Sequence, residues 1–158
     1  MQTFKNTFFL ILGIVIIAWS FYWVLNKPAL AKYQQITDNQ QLTINNKTIL
    51  VEIANTDAKR EQGLSGRASL NPGSGMLFVF ERPGLYGFWM KEMNFSLDIV
   101  WIDENGQVIN IDKALEPETY PQVFYPVKPV KYVLELNAGE SVKMGIDTDS
   151  KLSFSAQN

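Results

Sequence analysis

The chain of 158 residues contains no cysteine and no histidine. Thiol nucleophiles, disulfides and thiolate metal sites are therefore excluded. So are Ser-His-Asp triads, histidine general bases and imidazole-ligated zinc, copper or haem iron. Gly63-Leu64-Ser65-Gly66 and Gly73-Ser74-Gly75 are accordingly not nucleophile elbows, since no histidine exists to serve them. What remains for chemistry is Asp, Glu, Lys, Arg, Tyr, Ser and backbone, and a bound metal would be a hard cation held by oxygen. Asp103-x-Asn105 has the opening of a calcium loop, but Gly106 falls at the wrong offset and no acid follows at the closing position. No metal site and no cofactor are expected. The formal net charge is −2, which offers no basic footprint for nucleic acid. A chain without cysteine fits an extracytoplasmic bacterial protein without requiring one.

The first feature present is an apolar run from Phe8 to Leu25, preceded by Lys5 and ended by Asn26-Lys27-Pro28. Its length is near the minimum for a membrane-spanning helix and exceeds a usual signal-peptide core. Trp19, Tyr22 and Trp23 gather at its C-terminal end, where aromatic side chains favour the membrane interface. Residues 1–30 read as an N-terminal transmembrane anchor or signal, residues 31–40 as a linker and residues 41–156 as the domain. The expected location is the inner (plasma) membrane, single-pass, with the domain on the extracytoplasmic side. The alternative is a secreted or periplasmic protein, cleaved near Ala31 in the small-x-small tripeptide Ala29-Leu30-Ala31.

Within the domain, Leu42 and Ile44 alternate with Thr43, Asn45-Asn46-Lys47 turns, and Thr48 to Ala54 returns, which is a hairpin pattern. Thr56 can cap a short helix over Asp57–Gln62, with Gly63 placed to end it. Met76 to Phe80 has strand character. Asp103-Glu104-Asn105-Gly106 signals a hairpin loop with a bulge, and Gln107 to Asp112 returns from it. Ala114 to Pro129 is long and punctuated by proline, a pattern that serves function or packs as a flap. Val130 to Leu136 reads as a strand, a short helix follows around Glu140–Met144, and Leu152–Ser155 is a last strand. The fold class is α+β: a small, mainly antiparallel curved or barrel-like β-sheet of seven or eight strands with two short helices, preceded by one N-terminal transmembrane helix.

The stretch from Tyr86 to Asp103 organises the domain. Phe88, Trp89 and Met90 follow Gly87 as a short buried strand would, and Leu97 to Ile102 is a second apolar run. Asp98 lies inside that run, and a buried carboxylate must be hydrogen-bonded, paired or protonated. Two readings stand side by side. Asp98 caps a turn and satisfies loop N–H groups at the strand start, or it is a site carboxylate.

Asn55-Thr56, Arg60, Gly63-Leu64 and Arg67 are followed by Gly75-Met76-Leu77-Phe78-Val79-Phe80 and Phe88-Trp89-Met90-Lys91. Leu97-Asp98, Ile102-Asp103 and Tyr132-Val133-Leu134-Glu135-Leu136-Asn137-Ala138-Gly139 complete the set. In this order and spacing the chain resembles the domain of unknown function 192 family over about residues 41–156. The resemblance implies a domain often attached to signal peptides or membrane helices, and no settled activity. Glu92 stands where the family often has Asn, and Ser96 where it often has Pro.

The expected function is a membrane-tethered extracytoplasmic binding module for a small molecule or envelope component. Aromatic faces from Tyr86, Trp89 and Trp101 would combine with polar partners, as small-molecule pockets do. The candidate ligand-binding residues are Arg67, Trp89, Lys91, Asp98 and Glu135, although Phe88, Trp89 and Trp101 fit a core equally. One alternative is a carboxylate-dependent hydrolase using Asp98 with Glu92 or Glu135. The other is an envelope interaction or assembly protein. No enzymatic activity is assigned. The expected partners are the membrane, through the N-terminal helix, and an unknown small molecule or envelope protein, with no nucleic acid. The test that separates these readings is whether Asp98, Arg67 and Glu135 meet in one cleft.

Overall fold

In a computed structural model, residues 39–154 are described. The expected membrane segment Phe8–Leu25, most of the linker and the last residues of the expected domain lie outside them. Strands β1 (Asn39–Ile44) and β2 (Lys47–Ala54) form the first hairpin. Asn45 and Asn46 turn it at φ 50° and 60°, a left-handed conformation that Asn tolerates better than most side chains. Helix α1 (Asp57–Gln62) starts at Thr56, whose hydroxyl accepts from the Lys59 N–H at 3.3 Å, and ends at Gly63 with φ 50°. Then come β3 (Ser74–Gly84), β4 (Leu97–Ile102), β5 (Val108–Leu115), a 3-10 turn at Pro117–Thr119, β6 (Val130–Asn137), α2 (Glu140–Lys143) and β7 (Leu152–Phe154).

The seven strands form one sheet in the order β5-β4-β6-β3-β2-β1-β7. β2 and β3 run parallel, joined by α1 and its following loop; the other pairs are antiparallel. The sheet curls until its two ends touch. Leu152 donates to the Gly106 carbonyl at 2.7 Å, and Gln107 bridges Lys151. The result is a curled half-barrel, mainly antiparallel, with two short α-helices.

Every residue of β4 is buried, so both faces of the central sheet are covered. Register sorts them. One face carries Leu42, Ile49, Val51, Leu77, Val100, Leu134 and Leu136, which fill the inside of the curl. The other carries two rows across the strands. Ala54, Phe78, Val133 and Trp101 form one; Glu52, Met76, Glu135 and Ile99 form the next. Three of the four positions in the first row are bulky and apolar, whereas the second holds two carboxyl groups. This second face is roofed by α1, the loop after it and the segment 86–96.

The expectation of a short buried strand at Phe88–Met90 is corrected. Phe88 alone pairs, through reciprocal hydrogen bonds with Phe124 at 2.9 and 2.8 Å. Phe88 turns inward and Met90 is buried, while Trp89 between them is 53% exposed. The 116–129 segment supplies only that one bridge, and the extended chain alternates its side chains between core and solvent. Tyr125 and Val123 pack so closely on Gly87 that a Cβ there would meet them at 2.9 and 2.8 Å, so the long segment packs as a flap.

Candidate functional site

The second row supplies the polar residues of the site. Glu52 and Glu135 sit on β2 and β6, two strands apart, with Met76 of β3 between them. Each lies in a run of apolar residues whose alternation points it to the roofed face. Arg67 reaches in from the loop after α1. That loop is held by the central stretch: Gly66 donates to the Glu92 carbonyl at 2.8 Å, Ser65 Oγ to the Lys91 carbonyl at 3.0 Å, and Asn94 Nδ2 to the Arg67 carbonyl at 2.9 Å. Two motifs well separated in sequence thus become one wall.

Arg67 donates to both oxygens of Glu52, Nη1 to Oε1 at 2.6 Å and Nη2 to Oε2 at 2.8 Å. This two-pronged geometry matches guanidinium to carboxylate and raises the pKa of Arg67 further above its already high value. Glu135 receives no such partner. It is 6% exposed, and among the described residues its Oε2 has no hydrogen-bond partner. Burial raises its pKa from about 4.5 to about 8, with the charge of Arg67 opposing that rise. Glu135 is therefore mostly protonated at neutral pH, and it can both donate and accept a hydrogen bond.

Glu135 lines a cavity of about 270 Å³, and five aromatic residues line it too: Phe78, Phe80, Tyr86, Phe88 and Trp89. Phe80 and Tyr86 stack with ring centres 3.5 Å apart. Phe88 meets Phe78, Phe80 and Trp101 edge to face. Trp89 stands at the cavity and Met93 completes the wall. Arg60 also lines it, with its guanidinium 5.4 Å from the centre of the Phe80 ring. Arg60 donates to the Val79 carbonyl at 2.8 Å and pairs with Asp57. A second cavity of about 570 Å³ lies on the Arg67 and Glu52 side, and Gln62 and Gly63 border both.

Of the five candidate residues, Trp89 and Glu135 line one pocket and Arg67 borders the adjoining one. Lys91 lines neither cavity; its side chain is exposed, with Nζ 3.9 Å from Glu92 Oε1. Asp98 is on the opposite face of the sheet, level with Leu136 where Ile99 is level with Glu135. Its Oδ1 accepts from the Ala114 N–H at 2.9 Å. Its Oδ2 accepts from the N–H groups of Gly139 and Ser141 at 3.0 and 3.1 Å and from Ser141 Oγ at 2.6 Å. Asp98 therefore ties the start of α2 to β4, which is its structural reading. Trp101 is fully buried and donates to Asp112 Oδ2 at 2.7 Å, so it belongs to the core. Sequence reasoning passed over Glu52. The signal was available, because Glu52 is a lone acid in Ile-Leu-Val-Glu-Ile, as Asp98 is in its own run. Among the described residues no group of three or more Asp or Glu gathers as a metal site would.

The profile of the DUF192 family, described as an uncharacterized ACR, matches residues 40–154. A solved structure from Sinorhizobium meliloti 1021, described as a candidate transcription regulator, is similar at 30% identity and TM-score 0.69. The match covers 73% of this chain and 93% of that one. A protein of unknown function from Novosphingobium aromaticivorans DSM 12444 is similar at 27% identity and TM-score 0.67, covering 73% and 84%. No curated protein matches the chain.

Proposed function

We propose that this chain, which belongs to the DUF192 family, is a small-molecule binding module that takes its ligand in the aromatic pocket beside Glu135. One observation carries the reading. A carboxyl group is buried with an oxygen unpartnered, and it lines a cavity walled by five aromatic rings. A buried polar group without a partner costs the fold free energy, so its retention is understandable where a ligand supplies the missing hydrogen bond. Around it, the aromatic walls are locked by stacking and by the flap, which suits a preformed site. The apolar run Phe8–Leu25 supports the accompanying proposal that the module is tethered to the inner membrane and faces outward.

The hydrolase reading is less well supported. Asp98 and Glu135 occupy opposite faces of the sheet, and Glu92 is exposed beside Lys91, so no acid pair forms among them. A nucleic-acid role, suggested by the description of the Sinorhizobium relative, finds little support in a net charge of −2.

A thermal-shift panel of uncharged, cationic and anionic small molecules on the full chain tests the pocket. A binder must raise apparent stability by mass action, and the shift should shrink in Trp89→Ala and in Glu135→Leu, which removes the hydrogen-bonding carboxyl. A panel in which no compound shows a shift sensitive to either substitution would remove the reading. Membrane fractionation tests the tether; full-length protein recovered without the membrane would overturn it.

A further inference from the structure

We propose that the ligand of this pocket is an uncharged ring bearing neighbouring hydroxyl groups, a neutral sugar unit, held between the aromatic walls and the carboxyl group of Glu135. This rests on the pocket reading above and adds the class of ligand.

The charges around the cavity decide the sign. Arg60, on α1, pairs with Asp57 and the Val79 carbonyl. Arg67, on the loop after it, is held at both nitrogens by Glu52 of β2. An anion would therefore have to compete with carboxylates already in place. A cation would meet Arg60 along the wall and find Glu135 mostly protonated at neutral pH. Of the other groups facing Glu135, Met76 on β3 and Ile99 on β4 are apolar, and Glu61 and Tyr86 border the same cavity. An uncharged ligand disturbs none of these pairings.

The hydrogen-bonding pattern decides the functional group. A protonated carboxyl presents one donor and one acceptor side by side, and hydroxyl groups supply both complements. The walls decide the shape. Trp89, at 53% exposure, offers a flat apolar surface to the C–H face of a ring, and the Phe80–Tyr86 stack closes the wall beside it. A cavity of about 270 Å³ limits the enclosed part of the occupant to a single ring.

The test uses the full chain and four probes: methyl glucoside and N-acetylglucosamine as neutral sugars, glucuronate as an anion and tetramethylammonium as a permanent cation. Dissociation constants are measured by calorimetry between pH 6 and pH 9. The expected result is binding of a neutral sugar that is about tenfold weaker at pH 9 than at pH 7, as the Glu135 proton is lost. Glu135→Gln should bind with the pH dependence abolished, and Trp89→Ala should weaken binding several-fold. Tetramethylammonium binding that strengthens with pH, or preference for glucuronate, would overturn the neutral class while leaving the pocket standing. Absence of binding by both neutral sugars would overturn the sugar assignment, and the broader panel would then judge the pocket separately. Sugar binding unchanged in Trp89→Ala, with its pH dependence intact in Glu135→Gln, would place it elsewhere and overturn both proposals.

Discussion

Arg67 gives both of its terminal nitrogens to Glu52 rather than to Glu135, at 2.6 and 2.8 Å. The nearby cation is thereby committed to a half-exposed carboxylate, and it reaches the buried Glu135 carboxyl through its charge but not through a hydrogen bond. The division follows from the sheet. Glu52 and Glu135 share a row but stand on strands separated by β3, so one guanidinium cannot grip both with the same geometry. The pocket acquires a neutral acid as a consequence.

Glu135 should make the fold less stable as pH rises. Its folded pKa, about 8, lies above its ordinary value near 4.5, so the folded chain binds more protons than the unfolded chain between those limits. Stability is then lost progressively as pH climbs from about 4.5 to about 8, and the penalty is complete above that window. Glu135→Gln removes this contribution. Urea unfolding of both proteins should show the variant gaining about 2–4 kcal/mol relative to the parent between pH 4.5 and pH 8. A difference independent of pH would mean that Glu135 titrates normally.

Asp98→Asn should destabilise substantially. An amide retains one oxygen, but its NH₂ would face the Ala114 N–H or the donors of α2, donor against donor. With hydrogen bonds to a charged acceptor lost at a fully buried position, the cost is about 3 kcal/mol. Ser141→Ala, which removes one donor from the same carboxylate, should cost about 1 kcal/mol. Denaturant midpoints for the two variants check the ranking. Equal midpoints for parent and Asp98→Asn would contradict the structural reading.

Glu92 holds φ at 56° in the turn where its carbonyl accepts from Gly66. Side chains other than Asn, Asp and Gly adopt this conformation at a cost. Glu92→Asn should stabilise the domain by about 0.5–1 kcal/mol, since its only ion pair among the described residues is the exposed 3.9 Å contact with Lys91. A lowered melting temperature would show that the Glu92 side chain contributes more than its exposure suggests.

Gly106 adopts φ 83°, and a Cβ there would lie 2.6 Å from the Leu152 carbonyl oxygen, which is backbone and cannot step aside. Gly106→Val should destabilise by at least about 2 kcal/mol, combining strain in the turn with disturbance of the contact that closes the curl. Thermal unfolding measures it; an unchanged midpoint would mean that β7 does not seal against the β4–β5 turn.

The local features of this domain were legible from residue order because their causes are local. Asn45-Asn46 bends the first hairpin, Thr56 and Gly63 bracket α1, and Asp103 to Gly106 shapes the bulged turn through contacts a few residues apart. Apolar runs marked β4 and β6 for burial. The tertiary structure alone decided which strands became neighbours, including the parallel pairing of β2 with β3. It also decided the fate of three acids that look alike in sequence, each lone among apolar residues. Asp98 finds its donors up to 43 residues away in α2, Glu52 finds Arg67 across 15 residues, and Glu135 finds no partner for Oε2. A one-residue change of register would exchange these environments, because successive side chains on a strand point to opposite faces. Residue type says that a buried acid needs a partner; only the pairing of strands says whether it has one.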